Sequence, residues 1–349
     1  MDNGNYMSTE QIKISVIVLI YNMEKLLPRC LQSLERQTMK GIQFVLVDDG
    51  STDGSPEICD SWKPEGHHVK IIHKKNENVV AGWMDGVNAA DGDYVGFVDS
   101  DDYIDDDMYE NLWKAVEQSN VDISMCNHLY EKNGKMTICK SILHEGIYEG
   151  TQMNALRVLV MPKLAEPYLS PSLCNKIFRK DLFKRNFQFC DKQVTIADDV
   201  SVVLPCLYGA KSFSYIDKPY YHYVTRDDGV THTYRENMYY QHEQLLNNLE
   251  LAINFYKPEL PDEAFAMLVS AMGNQWLRMI ANTKLSNNKR KELLRKFYSD
   301  QRYVLAAQKM DEVPANKWVK AYCDVILRHK YWKYSMMIRL LNCRNKLKV

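Results

Sequence analysis

Three aspartates stand within four residues of GFVDSDDYIDDD (96–107): Asp99, Asp101 and Asp102. Like charges this close disfavour one another's ionisation, so something must offset the repulsion. Carboxylates two positions apart place hard oxygen donors on neighbouring side chains. A shared divalent cation would relieve the repulsion and create a seat for phosphate oxygens. The plain alternative is a solvated acidic loop. Two further acid pairs occur, Asp48 and Asp49 in VDDGSTDGS (47–55) and Asp198 and Asp199 in IADDV (196–200). The first reads otherwise as a turn rich in Gly, Ser and Asp, the second as a helix start. Asp105, Asp106 and Asp107 precede the apolar positions Met108, Leu112 and Val116, and are expected to cap a helix.

These acids need elements to hold them. ISVIVLIY (14–21) is a continuous β-branched run, as in a strand buried on both faces. Leu26, Leu27, Cys30, Leu31 and Leu34 follow at helical spacing. FVLVDD (44–49), VKIIH (69–73) and YVGFVDS (94–100) read as further strands, with helices over 55–62 and 79–90 between them. Alternating strands and helices predict an α/β fold on a parallel sheet, with ligands beyond the carboxyl ends of the strands. The acids lie there. Past residue 120 the pattern changes. Strands are expected at 121–130, 134–140, 212–216 and 220–224, and helices at 151–160, 172–186 and 198–208. Lys176 and Arg179 fall in the 172–186 stretch, either as an exposed basic helix face or as anchors for an acceptor or phosphate. His222 is read as a packed residue. From 236 onward Met238, His242, Leu245, Leu249, Ala252 and Tyr256 share a helical face. A boundary is placed near 232–236.

The 349 residues are 46% hydrophobic and 26% charged, enough for a sizeable core. A net charge of −1 gives no global pull toward nucleic acid, and none is expected as a partner. Nine scattered cysteines without a C-x-x-C pair speak against a disulfide framework or structural zinc site. No run of 18 apolar residues and no signal-peptide pattern appear, so a cytoplasmic protein is expected, with the inner face of the membrane as an alternative seat.

ISVIVLIYNMEKLLPRCLQSLERQT, VLVDDGSTDGSPEIC and GDYVGFVDSDDYI together resemble glycosyltransferase family 2, inverting enzymes of the GT-A fold. Order and spacing match over 14–104. Weaker likeness runs through CNKIFRKDLF (174–183), IADDVSVVLPCLYGAKSFSYIDKPYYHYV (196–224) and GVT (229–231). The resemblance implies a GT-A domain over 1–235, with a nucleotide-sugar half (1–104) and an acceptor half (105–235), and a helical C-terminal region over 236–349.

It also implies roles. Tyr21 and Glu24 would line the base and ribose pocket. Asp49 would accept the N3–H of uracil, favouring a UDP-sugar donor. Asp99 would hold the ribose or the metal. Asp101 would be the chief ligand of Mn²⁺ or Mg²⁺, with Asp102 assisting. Asp199 would be the catalytic base of transfer to a saccharide or lipid-linked acceptor in cell-surface polysaccharide or glycolipid synthesis. One departure stands out. Trp83 and Met84 occupy the place where the family carries Arg and Asn, and an apolar pair cannot neutralise phosphate. Trp83 would stack on a ring or pack in the core. The departure motivates a rival reading, a non-catalytic module of the same fold that binds a partner transferase.

The last 22 residues, RHKYWKYSMMIRLLNCRNKLKV (328–349), hold seven Lys or Arg and no acid, with Trp332, Met336, Ile338, Leu340 and Leu341 between them. Such a segment suits contact with an anionic membrane surface or, equally, a terminal helix packed on its own domain.

Overall fold

The computed structural model describes residues 11–159, 169–195, 197–225, 237–312 and 317–346, with side chains in the last helix as far as Leu340. The GVT stretch (229–231), Ile196 and the side chain of Leu341 therefore lie outside the described residues. The chain divides into two units. The first comprises Met1–Met153 with Ser172–Arg226, the second Asn154–Pro171 with Asp227–Val349.

The first unit is built on one sheet. β1 (Ile14–Ile20), β2 (Gln43–Asp48), β3 (His68–His73) and β4 (Tyr94–Asp99) run parallel in the order β3-β2-β1-β4. β1 and β2 are buried almost throughout, which is why they read as unbroken apolar runs. Helices α1 (Leu27–Glu35), α2 (Ser55–Ser61) and α3 (Val79–Ala89) link them. α3 lies unusually close to the sheet. A Cβ at Gly86 would meet Ile17 Cγ2 at 2.6 Å, and only hydrogen fits there. Beyond β4 the sheet becomes mixed: the short strand β5 (Tyr103–Ile104), then α4 (Met108–Ser119), β6 (Ile123–Lys132), β7 (Lys135–Cys139), β8 (Gly146–Glu149) and α5 (Gln152–Leu159).

Two expectations change here. The stretch 172–186 is not one helix. Lys176–Arg179 form β9, antiparallel to both β4 and β6, and α6 (Lys180–Arg185) begins only after it. The two strands expected at 212–216 and 220–224 are one, β10 (Ser212–Val224). Pro219 cannot donate to a ladder, and the register slips on either side of it. Between β9 and β10, α7 spans Asp198–Gly209.

The second unit holds α8 (Met238–Tyr256), α9 (Ala264–Asn282), α10 (Asn287–Ser299), α11 (Gln301–Asp311), α12 (Lys317–Arg328) and α13 (Tyr331–Lys346). Its core includes Trp276, Phe297, Tyr303 and Tyr322. Met238, His242, Leu245, Leu249 and Ala252 are buried on one face of α8, as their spacing requires. No helix among the described residues is long and apolar enough to cross a membrane.

Candidate active site

β4 ends at Asp99, and the turn after it is closed by the Asp102 N–H donating to the Asp99 carbonyl at 3.0 Å. Tyr221 of β10 clasps this turn. Its hydroxyl donates to Asp102 Oδ2 at 2.7 Å and accepts the Asp99 N–H at 3.2 Å. The Val224 N–H donates to Asp102 Oδ1 at 2.7 Å. Both oxygens of Asp102 are thus engaged, and the residue is 1% exposed. Burial raises the Asp102 pKa well above the usual carboxylate range. The Asp99 and Asp101 charges add to that, and the Val224 and Tyr221 hydrogen bonds oppose it. The Asp99 pKa is also raised, by burial first and then by Asp101. The repulsion inferred from the spacing is therefore present in the folded chain. Arg29 of α1 donates to the Asp101 carbonyl at 3.0 Å and lies over the Tyr103 ring.

Asp107 stands at the N-cap of α4, as expected, but no side-chain bond from it caps the helix. Asp105 pairs with His222 Nε2 at 2.8 Å, Asp106 with Arg36 Nε at 3.0 Å, and Asp107 accepts from Asn111. His222 is buried and stacked on Tyr103, a packed residue as read from the sequence.

Asp199 sits in the first turn of α7, after Ala197 in a left-handed conformation (φ 51°). A non-glycine residue there carries strain of about 1–2 kcal/mol. Asp199 Oδ1 faces the Leu173 N–H at a long 3.4 Å. Its pKa is raised well above the usual range by burial, then by Asp198 and by Asp99 across the site, with the Leu173 N–H and Lys176 opposing. Asp199 and Asp99 thus share one electrostatic environment although a hundred residues separate them. Lys176 is not on an exposed basic face. It is fully buried on β9, and its ammonium donates to the Ser172 carbonyl at 2.6 Å and to Asn175 Oδ1 at 2.7 Å. Burial pulls its pKa down to about 7, with Asp199 opposing. Arg179 pairs with Asp122 at 2.9 Å and faces away from these acids' end of the sheet, at the start of β4 opposite Tyr94.

The carboxyl ends of β1 and β2 meet in a clasped pair of loops. Asn22 (φ 54°) accepts from the Thr52 N–H at 2.8 Å, and its own N–H donates to Ser51 Oγ at 3.0 Å. Glu24 Oε2 accepts the Gly54 N–H at 2.9 Å, while the Glu24 N–H donates to Asp53 at 3.0 Å. Tyr21 is 48% exposed beside them. Asp49 is buried after β2 and accepts the Glu77 N–H at 3.1 Å. Burial raises its pKa, against that bond and the Lys74 charge. Lys74 itself is held by Asp85 and Glu77, at 2.5 and 2.8 Å. Trp83 is 6% exposed with its ring edge toward Phe97, so it packs in the core.

Asp99, Asp101 and Asp102 are thus gathered at one turn, with Asp199 coupled to them. Asp49, Tyr21 and Glu24 lie on the neighbouring loops of the same sheet edge. Sequence reasoning passed over Tyr221, Asn22 and Lys74, whose partners lie in other segments of the chain. Among the described residues no three His, Cys, Asp or Glu side chains form a ready metal cage. Two carboxylates are still a suitable donor set, because Mg²⁺ and Mn²⁺ sites commonly use one or two plus substrate phosphates. The Asp102 oxygens are engaged by Tyr221 and Val224. A cavity of about 460 Å³ lined by Asp93, Trp113, Asn120 and Arg179 lies at the amino end of β4, away from the acids.

The family model described as Glycosyl transferase family 2 matches residues 15–187. The uncharacterized glycosyltransferase EpsJ of Bacillus subtilis strain 168 is 26% identical over 345 residues, 94% of each chain. The poly(ribitol-phosphate) beta-glucosyltransferase of Bacillus spizizenii is 30% identical over 247 residues, 68% of this chain but only 37% of that longer one. The crystal structure of S. aureus TarS 1–349 in complex with UDP shares the fold, with a TM-score of 0.65, 19% identity, and coverage of 95% of this chain and 91% of that one.

Proposed function

Residues 15–187 are a glycosyltransferase family 2 domain on a GT-A sheet, and from that premise we propose that the protein is a metal-dependent inverting glycosyltransferase that takes its sugar from a UDP-sugar. The observation that carries this reading is the placing of Asp99 at the carboxyl end of β4 and of Asp199 in the first turn of α7, close enough for the Asp99 charge to act on Asp199. A base and a cation-binding pair then face one reaction space at the carboxyl edge of the sheet. Asp49 accepts the uracil N3–H, with Tyr21 and Glu24 lining the base and ribose. Asp99 and Asp101 would hold Mn²⁺ or Mg²⁺, and Asp102 keeps their turn in place. Such a cation would neutralise charge on the leaving diphosphate. Asp199 takes the proton of the acceptor hydroxyl as it attacks the anomeric carbon from the opposite side. Its raised pKa makes it a stronger base than an ordinary aspartate. The poly(ribitol-phosphate) beta-glucosyltransferase relative favours an acceptor in a cell-surface polymer, a saccharide or lipid-linked saccharide.

The test is a panel of UDP-, GDP- and dTDP-sugars incubated with the purified protein and Mn²⁺, with released nucleotide measured. Release of UDP from one UDP-sugar, lost in Asp101→Ala, is expected. No release from any member of the panel by wild type would favour the non-catalytic reading.

A further inference from the structure

The helix α13 turns one face inward. Tyr334 and Ile338 are 1% and 4% exposed, and the Tyr334 hydroxyl donates to Asn274 of α9. Among the described residues the opposite face is not covered. Trp332, Met336 and Leu340, four residues apart, are 63%, 53% and 60% exposed. Single exposed apolar side chains are ordinary on a surface, but three in a row along one helix mark an interaction site.

The charges on α13 itself are all positive. Lys333 lies over the Trp332 ring with its Nζ 5.6 Å from the centroid, and Arg339 is exposed beside Leu340. Arg290 of α10 acts electrostatically on Tyr331 at the start of α13. The same helix exposes Lys291 and Arg295. Asp311 of α11 and Asp324 of α12 are paired with Arg328 and Lys330, Glu292 of α10 is paired with Lys289, and Glu312 is exposed after α11. From Lys330 to the last residue the chain carries no acid.

We propose that the outer face of α13 docks on an anionic lipid surface, lying in the plane of the headgroups with Trp332, Met336 and Leu340 immersed and Lys333 and Arg339 at the phosphates. A tryptophan-bearing apolar stripe rimmed by lysine and arginine is the pattern of a helix that lies on a bilayer without crossing it. A protein groove would have to be both apolar and polyanionic to match it, whereas an anionic bilayer is both by construction. The inner face stays fixed on α9, so docking requires no unfolding. The proposal concerns the second unit alone and does not depend on the chemistry assigned to the acids of the first.

The experiment is flotation of the full chain with vesicles of phosphatidylcholine alone and of phosphatidylcholine with phosphatidylglycerol, at low and high salt. Wild type should float with the anionic vesicles at low salt and much less at high salt. Lys333→Glu with Arg339→Glu should weaken partitioning by about 30-fold or more, since each cation near such a surface counts for roughly fivefold. Trp332→Ser with Met336→Ser and Leu340→Ser should weaken it by about tenfold or more. Nucleotide-sugar hydrolysis in solution should be unchanged in both, because every substituted side chain is on the surface. The two variants check each other if one fails to fold. Equal flotation with neutral and anionic vesicles, or variants that float like wild type, would overturn the proposal. So would a wild type that ignores both vesicles and self-associates through the stripe, as judged by dissociation in the apolar-stripe variant.

Discussion

Asp102 and Asp199 illustrate how two carboxylates in one site take different work. Asp102 has both oxygens engaged by Tyr221 and Val224, so its charge is spent on fixing the turn. Tyr221→Phe removes the donor to Asp102 Oδ2 and the acceptor of the Asp99 N–H together. It should destabilise the protein by about 1.5–3 kcal/mol, the usual worth of a hydrogen bond to a charged group. Chemical denaturation checks this, and a change below measurement error would show that the clasp contributes nothing. Asp199 faces the Leu173 N–H at a long distance, and its raised pKa suits proton abstraction. Asp199→Asn should lower transfer to acceptor by roughly 10²–10⁴-fold with donor affinity nearly unchanged, the mark of an interaction that belongs to the transition state. Asp198→Asn shares the first turn of α7 and is the control. Comparable transfer rates near wild type in both variants would make Asp199 structural. The acids themselves were legible in the sequence, because carboxylates at strand ends are few and their spacing is local. Tyr221 was not, since what gives it meaning is a partner 119 residues away.

At the scale of elements, β1, β2 and β4 were read directly because burial on both faces writes an unbroken apolar run, and β3, half-exposed at the sheet edge, was read from its short VKII core. β9 was not, because KIFR is four residues long and its polar ends disguise a strand gripped between β4 and β6. The proline in β10 concealed a continuous strand in the same way. The helical unit offers a test of another kind. His242 of α8 is fully buried, and neither ring nitrogen has a hydrogen-bond partner. Burial pulls its pKa down to about 4 from an ordinary value of 6.5. The unfolded chain therefore binds the proton first, so stability is lost as pH falls from about 6.5 toward 4, by about 1.4 kcal/mol per unit and roughly 3 kcal/mol in all. His242→Leu should flatten the fall in melting temperature over that window. An equally steep fall in the variant would show that another group is responsible.

Across the whole molecule, the sheet brings acids from four separate stretches of the first unit to one edge, 48–49, 99–102, 198–199 and the 21–24 loop that frames them. Folding alone leaves these charges in conflict, as the raised pKa values of Asp99, Asp102 and Asp199 record. Under the proposed function a nucleotide diphosphate with its cation would offset these carboxylates. The most direct measurement is calorimetric titration of the protein with UDP in Mn²⁺ and again in EDTA, repeated with Asp101→Ala. UDP should bind at least about tenfold more tightly with the metal, a difference of about 1.4 kcal/mol or more, and Asp101→Ala should remove most of that gain. Equal UDP affinity with and without the metal in the wild-type protein would contradict the account.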